Sequence, residues 1–249
     1  MRLLPILFLL GCLSILRATN ADELMRQAEM AEAGHDSRQA LELLIHAEML
    51  RPNDAQILQK IARCYSDLVV GQPGIEEKKR FAQVALNYAE RAVALNPRDP
   101  VNVLSLAVCH GKLAVYSDTR DKVRYSRLVR EEAEQALAID ANYAWAHHLL
   151  GRWHYEVASL GMTSRFFVKL FYGDLPPASI AEGIGHLRRA TELEPTELNH
   201  WLELGFAYLA AGSVELARTQ WTHGLGMPSR GVHDEPAKQR AREALAKLQ

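Results

Sequence analysis

Apolar and small residues recur at helical spacing along this chain, and the clearest stretch is "WLELGFAYLAAGSVELARTQWTHGLGMP". Trp201, Leu204 and Tyr208 fall three and four residues apart, which places them on one face of a helix. Ala217 and Trp221 repeat that spacing in a second segment, and Pro228 closes it. Large residues at the first three positions form an apolar stripe. The small residues Gly205 and Ala217 allow two helices to approach closely. The pattern therefore predicts a pair of packed helices.

The spacing W-x2-L-G-x2-Y followed by A-x3-W resembles a tetratricopeptide repeat, a helical pair of about 34 residues. With Leu198 as position 1, the same frame runs upstream. Ala28, Ala40, Leu44, Ala47 and Pro52 define a first unit from residue 21, and Leu58, Ile61, Ala62, Tyr65, Ala85, Ala89 and Pro97 a second from residue 55. Leu106, Ala107, Val129, Ala133 and Ala136 define a third from residue 100. Leu150, Gly151, Gly183, Leu187, Ala190 and Pro195 define a fourth from residue 144. The expected units are 21–54, 55–99, 100–143, 144–197 and 198–231, with a capping helix over 232–249 that opens on an acid and a proline. The fold class expected is an all-α, right-handed tetratricopeptide-type helical-hairpin solenoid. The three middle units exceed the usual length, and in each the extra residues fall between the two helices, which predicts lengthened helices or ordered extensions.

The N-terminus departs from this pattern. Arg2 precedes an apolar run from Leu3 to Leu16 and then the small residues Ala18 to Ala21, the layout of a secretory signal spanning 1–21. The alternatives are a lipoprotein box at "LLGC", with Cys12 lipidated, or an uncleaved anchor. The expected location is therefore outside the compartment of synthesis, periplasmic or membrane-tethered. A net charge of -1 over 249 residues carries no sign of a nucleic-acid partner. Cys64 and Cys109 form neither a zinc motif nor a CxxC pair, and both occupy a position taken by Ala207 in the fifth unit, which reads as buried packing.

The middle of the chain is more specific. "YSDTRDKVRYSRLVREEAEQALAIDANYAWAHHLLGRWHYEVASL", followed by "FFVKLFYGDLPPASIAEGIGHLRRATELEP", resembles the regulator of microtubule dynamics protein family over roughly residues 80 to 230. Helix, basic aromatic insert and Pro-Pro element follow in the same order. The resemblance implies a helical tetratricopeptide-like fold, binding rather than catalysis, and microtubule association for the animal members. Combined with the secretory N-terminus, it reads as an exported bacterial relative.

Candidate chemistry is sparse. His147, His148 and His154 crowd one segment, but residues seven apart on a helix are separated by about 10.5 Å, whereas zinc ligands lie about 2.0–2.1 Å from the metal. Adjacent histidines diverge around the helix, so packing is favoured over a metal site. His154 and His110 both stand where the repeat usually carries a tyrosine between its two helices. No nucleophile elbow, phosphate loop or H-E-x-x-H motif occurs, so no catalytic residue and no cofactor is implied.

By family resemblance, positions 2, 5, 9 and 12 of each first helix line a concave face. In the fourth unit these are Trp145, His148, Arg152 and Tyr155; in the second they include Arg63; in the fifth they include Asn199, Leu202, Phe206 and Leu209. A protein or peptide carrying an apolar segment and a carboxylate suits such a face, and the alternative is that these residues contact the long inserts of their own chain. The insert over 163–175, with Arg165, Phe166, Phe167, Lys169, Leu170, Phe171 and Tyr172, is expected to pack internally. Its alternative is an amphipathic helix in peripheral contact with a membrane.

Overall fold

The structure, a computed structural model, describes residues 6–161, 168 and 175–248, with side chains from residue 20 onward. Eleven helices and no strands occur among the described residues, in agreement with the all-α class. They form two compact units, Met1–Pro97 and Arg98–Gln249.

In the first unit, α1 (Ile6–Ala33) pairs with α2 (Ser37–Leu50), and α3 (Ala55–Leu68) pairs with α4 (Gly74–Leu95). Aspartates start α2 and α3. The Asp36 carboxylate accepts from the Gln39 N–H at 2.9 Å, and Asp54 accepts from Gln56 and Ile57, satisfying amides that have no partner inside the helix. Ala28, Ala40 and Ala47 have no side chain beyond Cβ, so Leu44, Ile57 and Ile61 fill the space between the helices; all six are fully buried. The expected signal as far as Thr19, and the Cys12 lipid site, fall on residues whose side chains lie outside the described set, whereas Ala21 at its end is buried. No described helix is long and apolar enough to cross a membrane.

The second unit contains α5 (Pro100–Val115), α6 (Thr119–Ile139), α7 (Ala144–Ala158), α8 (Ile180–Leu193), α9 (Leu198–Ala210), α10 (Val214–Gly226) and α11 (Asp234–Ala246). Neighbours in sequence pack as α5 with α6, α7 with α8, and α9 with α10, and α11 lies against both α10 and α9. Asp99, Asp118 and Glu197 cap α5, α6 and α9 as the aspartates do in the first unit. The extra length of the second and third pairs is helical, since α4 has 22 residues and α6 has 21 against 14 in α2 and α8. The long connection between α7 and α8 carries the 163–175 insert, most of which lies outside the described residues, including every aromatic and basic side chain named above.

Two glycines set the closest approaches. A Cβ on Gly151 would sit 2.7 Å from Leu187 Cγ and 2.9 Å from the Gly183 carbonyl oxygen, so the α7 and α8 backbones touch there. A Cβ on Gly205 would lie 2.5 Å from Trp221 Cδ1. Trp221 is fully buried, and its indole N–H donates to the Leu202 carbonyl at 3.0 Å. Ala217 is fully buried beside it and Leu204 nearly so, whereas Tyr208 is partly buried at the edge. Trp201 differs from Trp221. It is half-buried, donates to the Pro195 carbonyl at 3.0 Å and meets His223 edge-on at 4.4 Å.

Candidate functional site

Helix α7, "AWAHHLLGRWHYEVA", carries most of the polar candidates, and its neighbours decide which of them reach solvent. His148 is buried, with Nδ1 3.0 Å from Nδ1 of the fully buried His200 on α9, and Trp145 lies against both rings at 5.1 and 4.8 Å. One imidazole must donate and the other accept, so the two cannot both be charged. Burial drives His148 down to about 4 and His200 down to about 3, the latter helped by the adjacent His148.

A second pair joins α7 to α8. His147 Nδ1 lies 2.9 Å from His186 Nδ1, and His147 Nε2 lies 3.1 Å from the Ala141 carbonyl oxygen. A carbonyl only accepts, so the His147 Nε2–H donates to it. Burial, then the neighbouring histidines, lower His186 to about 4. His154, 4% exposed, accepts from the Ser179 N–H at 3.3 Å. His110 stacks on Tyr125 at 5.4 Å and meets Glu132 at 2.9 Å. Both therefore lie between the two helices of their own pair. Among the described residues no group of three or more His, Cys, Asp or Glu side chains could hold a metal ion. Cys64 and Cys109 are free and buried, and the Cys64 thiol is pushed up to about 12 by burial and by nearby Glu32.

The remaining polar groups converge on Glu203. Tyr155 is buried, and its phenol donates to one carboxylate oxygen of Glu203; Arg240 of α11 donates to the other. Arg152 Nε lies 3.9 Å from Glu203 and 2.8 Å from Glu156. Burial alone would raise the Glu203 carboxyl, but the Arg152 and Arg240 guanidiniums outweigh it and hold the group below the usual range. Burial, then Glu203, pushes the Tyr155 phenol up; Glu203 in turn raises Arg152. Of the strip His148, Arg152 and Tyr155, a ligand would meet Arg152, because α9 covers the other two. Trp145 is partly exposed beside them. Arg63 belongs to the first unit, where it pairs with Glu32 of α1 while Lys60 pairs with Glu29 at 3.1 Å.

Glu203, His200 and Arg240 escaped the sequence reading, since none falls on positions 2, 5, 9 or 12. Glu203 left a signal: it is a carboxylate between Leu202 and Leu204 in an otherwise apolar segment. Arg240 left none. The fifth-unit face is covered by the terminal helix, as Asn199 donates to Asp234 at 2.7 Å and the Arg240 guanidinium lies 3.9 Å over the Phe206 ring.

Residues 21–249 match the family model described as Regulator of microtubule dynamics protein 1-3. Regulator of microtubule dynamics protein 1 of Bos taurus is 27% identical over 229 residues, covering 91% of this chain and 71% of that protein. Its Mus musculus counterpart is 24% identical over 238 residues, covering 94% of this chain and 77% of that protein. A thermophilic tetratricopeptide protein from Thermus thermophilus superposes with a TM-score of 0.69 at 18% identity, covering 91% of this chain and 99% of that one, which shows the tetratricopeptide-like fold.

Proposed function

The chain belongs to the regulator of microtubule dynamics protein 1-3 family, and on that premise we propose that it is a non-enzymatic scaffold binding a protein or peptide along α7. One observation carries this reading. Arg152 has 43% of its side chain exposed, yet it is anchored from behind by buried Glu203, so a charged donor is presented on a rigid helix. Trp145 and Tyr155 supply the aromatic surroundings, with Tyr155 and His148 acting by positioning. Arg63 offers a second exposed guanidinium in the first unit. Capture from the native compartment with tagged wild-type protein and with Arg152→Ala tests the proposal. A partner retained by the wild type and lost by the variant is expected; equal capture by both removes α7 from consideration.

A second reading rests on the relatives, whose names describe regulators of microtubule dynamics. In it the partner is the microtubule itself. Co-sedimentation with stabilised microtubules should then pellet the chain in proportion to polymer, and a supernatant unchanged at saturating polymer would end that reading.

A further inference from the structure

The group around Glu203 makes the ligand chemistry of this surface more specific, an inference that rests on α7 being the ligand face. Only 6% of the Glu203 side chain is exposed, against 43% for Arg152 and 41% for Arg240. The carboxylate is thus enclosed while both guanidiniums reach solvent. Tyr155 and Arg240 occupy its two oxygens, and Arg152 stands 3.9 Å away. A guanidinium has five N–H donors in a fixed fork, so each arginine keeps donors beyond those aimed at Glu203. Glu203 cancels one of the two positive charges and leaves the other. In the chain alone that charge is balanced by Glu156, a surface carboxylate with 49% of its side chain exposed, one turn along α7. Exposed pairs of that kind are weak and easily exchanged. Phe206 lies 3.9 Å beneath the Arg240 guanidinium and restricts the plane of its fork.

We propose that Arg152 and Arg240, held in place by buried Glu203, clamp a carboxylate of an acidic peptide, which takes the place of Glu156 on Arg152. Arginine–carboxylate hydrogen bonds between charged partners are short and strong, and two pre-oriented forks lose little freedom on binding. The carboxylate comes either from Asp or Glu side chains or from a free C-terminus. Arg240 is then a specificity-determining residue supplied by the terminal helix.

Fluorescence anisotropy with the full chain at low salt tests this, using labelled hexaglutamate and hexaglutamine peptides, each with a free and an amidated C-terminus. Binding of amidated hexaglutamate assigns the side chains as source, and binding of hexaglutamine with a free C-terminus assigns the terminus; either supports the clamp. Arg152→Gln and Arg240→Gln should each weaken binding about tenfold. Glu156→Gln should strengthen it about two- to threefold, since it removes the competing carboxylate. That variant lies on an exposed surface, so it reports on the clamp even if an arginine variant loses its fold by circular dichroism. Arg124→Gln, a surface arginine on α6, should change nothing. No binding of any carboxylate peptide by folded wild type overturns the proposal, as does equal weakening by Arg124→Gln or weakened binding by Glu156→Gln. If the peptides fail while capture of a native partner still depends on Arg152, the scaffold reading stands without the clamp; if both fail, both fall.

Discussion

In the first unit the helices close over alanine, leucine and isoleucine, and the buried polar side chain among the described residues there is Ser66. Charged pairs there, such as Lys60 with Glu29 and Arg63 with Glu32, stand at the edge of the core. In the second unit the same kind of helix pair buries His110 with Glu132, His148 with His200, and Glu203 beneath two arginines. Buried polar groups cost free energy unless they find hydrogen-bond partners, so the second unit must satisfy them pairwise. The difference shows how one repeat architecture can carry two kinds of interior. The apolar one depends on volume; the polar one depends on matched partners and hence on pH.

The largest effect is expected from Trp221→Ala in the second unit, about 3–5 kcal/mol, because the indole is fully buried against Gly205. Hydrogen exchange should show the loss of protection within residues 98–249. An equal loss in the first unit would mean that the two units unfold together rather than separately.

Acidification comes next. The ordinary histidine value is 6.5, and the folded values are about 4 for His148, about 4 for His186 and about 3 for His200. The unfolded chain takes up protons below about 6.5, which the folded chain refuses until far lower pH. Stability is therefore complete above pH 6.5 and declines as pH falls towards 4. At pH 5 the loss is about 1–2 kcal/mol each for His148 and His200, read as lowered melting temperature and faster exchange in the second unit. A first unit that loosens to the same extent would erase the contrast in interiors.

Trp201→Ala should cost less than Trp221→Ala, about 1–2 kcal/mol, since Trp201 is half-buried and keeps one hydrogen bond at the helix start. Urea denaturation of the two variants ranks them directly, and a reversed order would place the core of the last pair on the wrong tryptophan. Arg63→Ala closes the series at below about 1 kcal/mol, because its partner Glu32 holds it at an exposed edge. A larger loss on thermal unfolding would show that the charged edge of the first unit matters as much as its apolar interior.

Periodicity made the helix class legible in the sequence, and the ordered run from "YAWAHHLLGRWHYEVASL" through the Pro-Pro element made the family legible. Helix spacing is a local property. Apolar residues three and four apart and small residues at close contacts are set by neighbours along the chain, so the all-α tetratricopeptide-like fold is written in local spacing. It also ordered His148, Arg152 and Tyr155 along one strip of α7. Which of them stay accessible depends on long-range packing, because the covering groups come from distant helices: His200 lies 52 positions from His148, Glu203 lies 48 from Tyr155, and Arg240 lies 37 from Glu203. No periodicity encodes those meetings. They follow from the way α9 and α11 pack, and burial among them separates a positioning tyrosine from an exposed arginine.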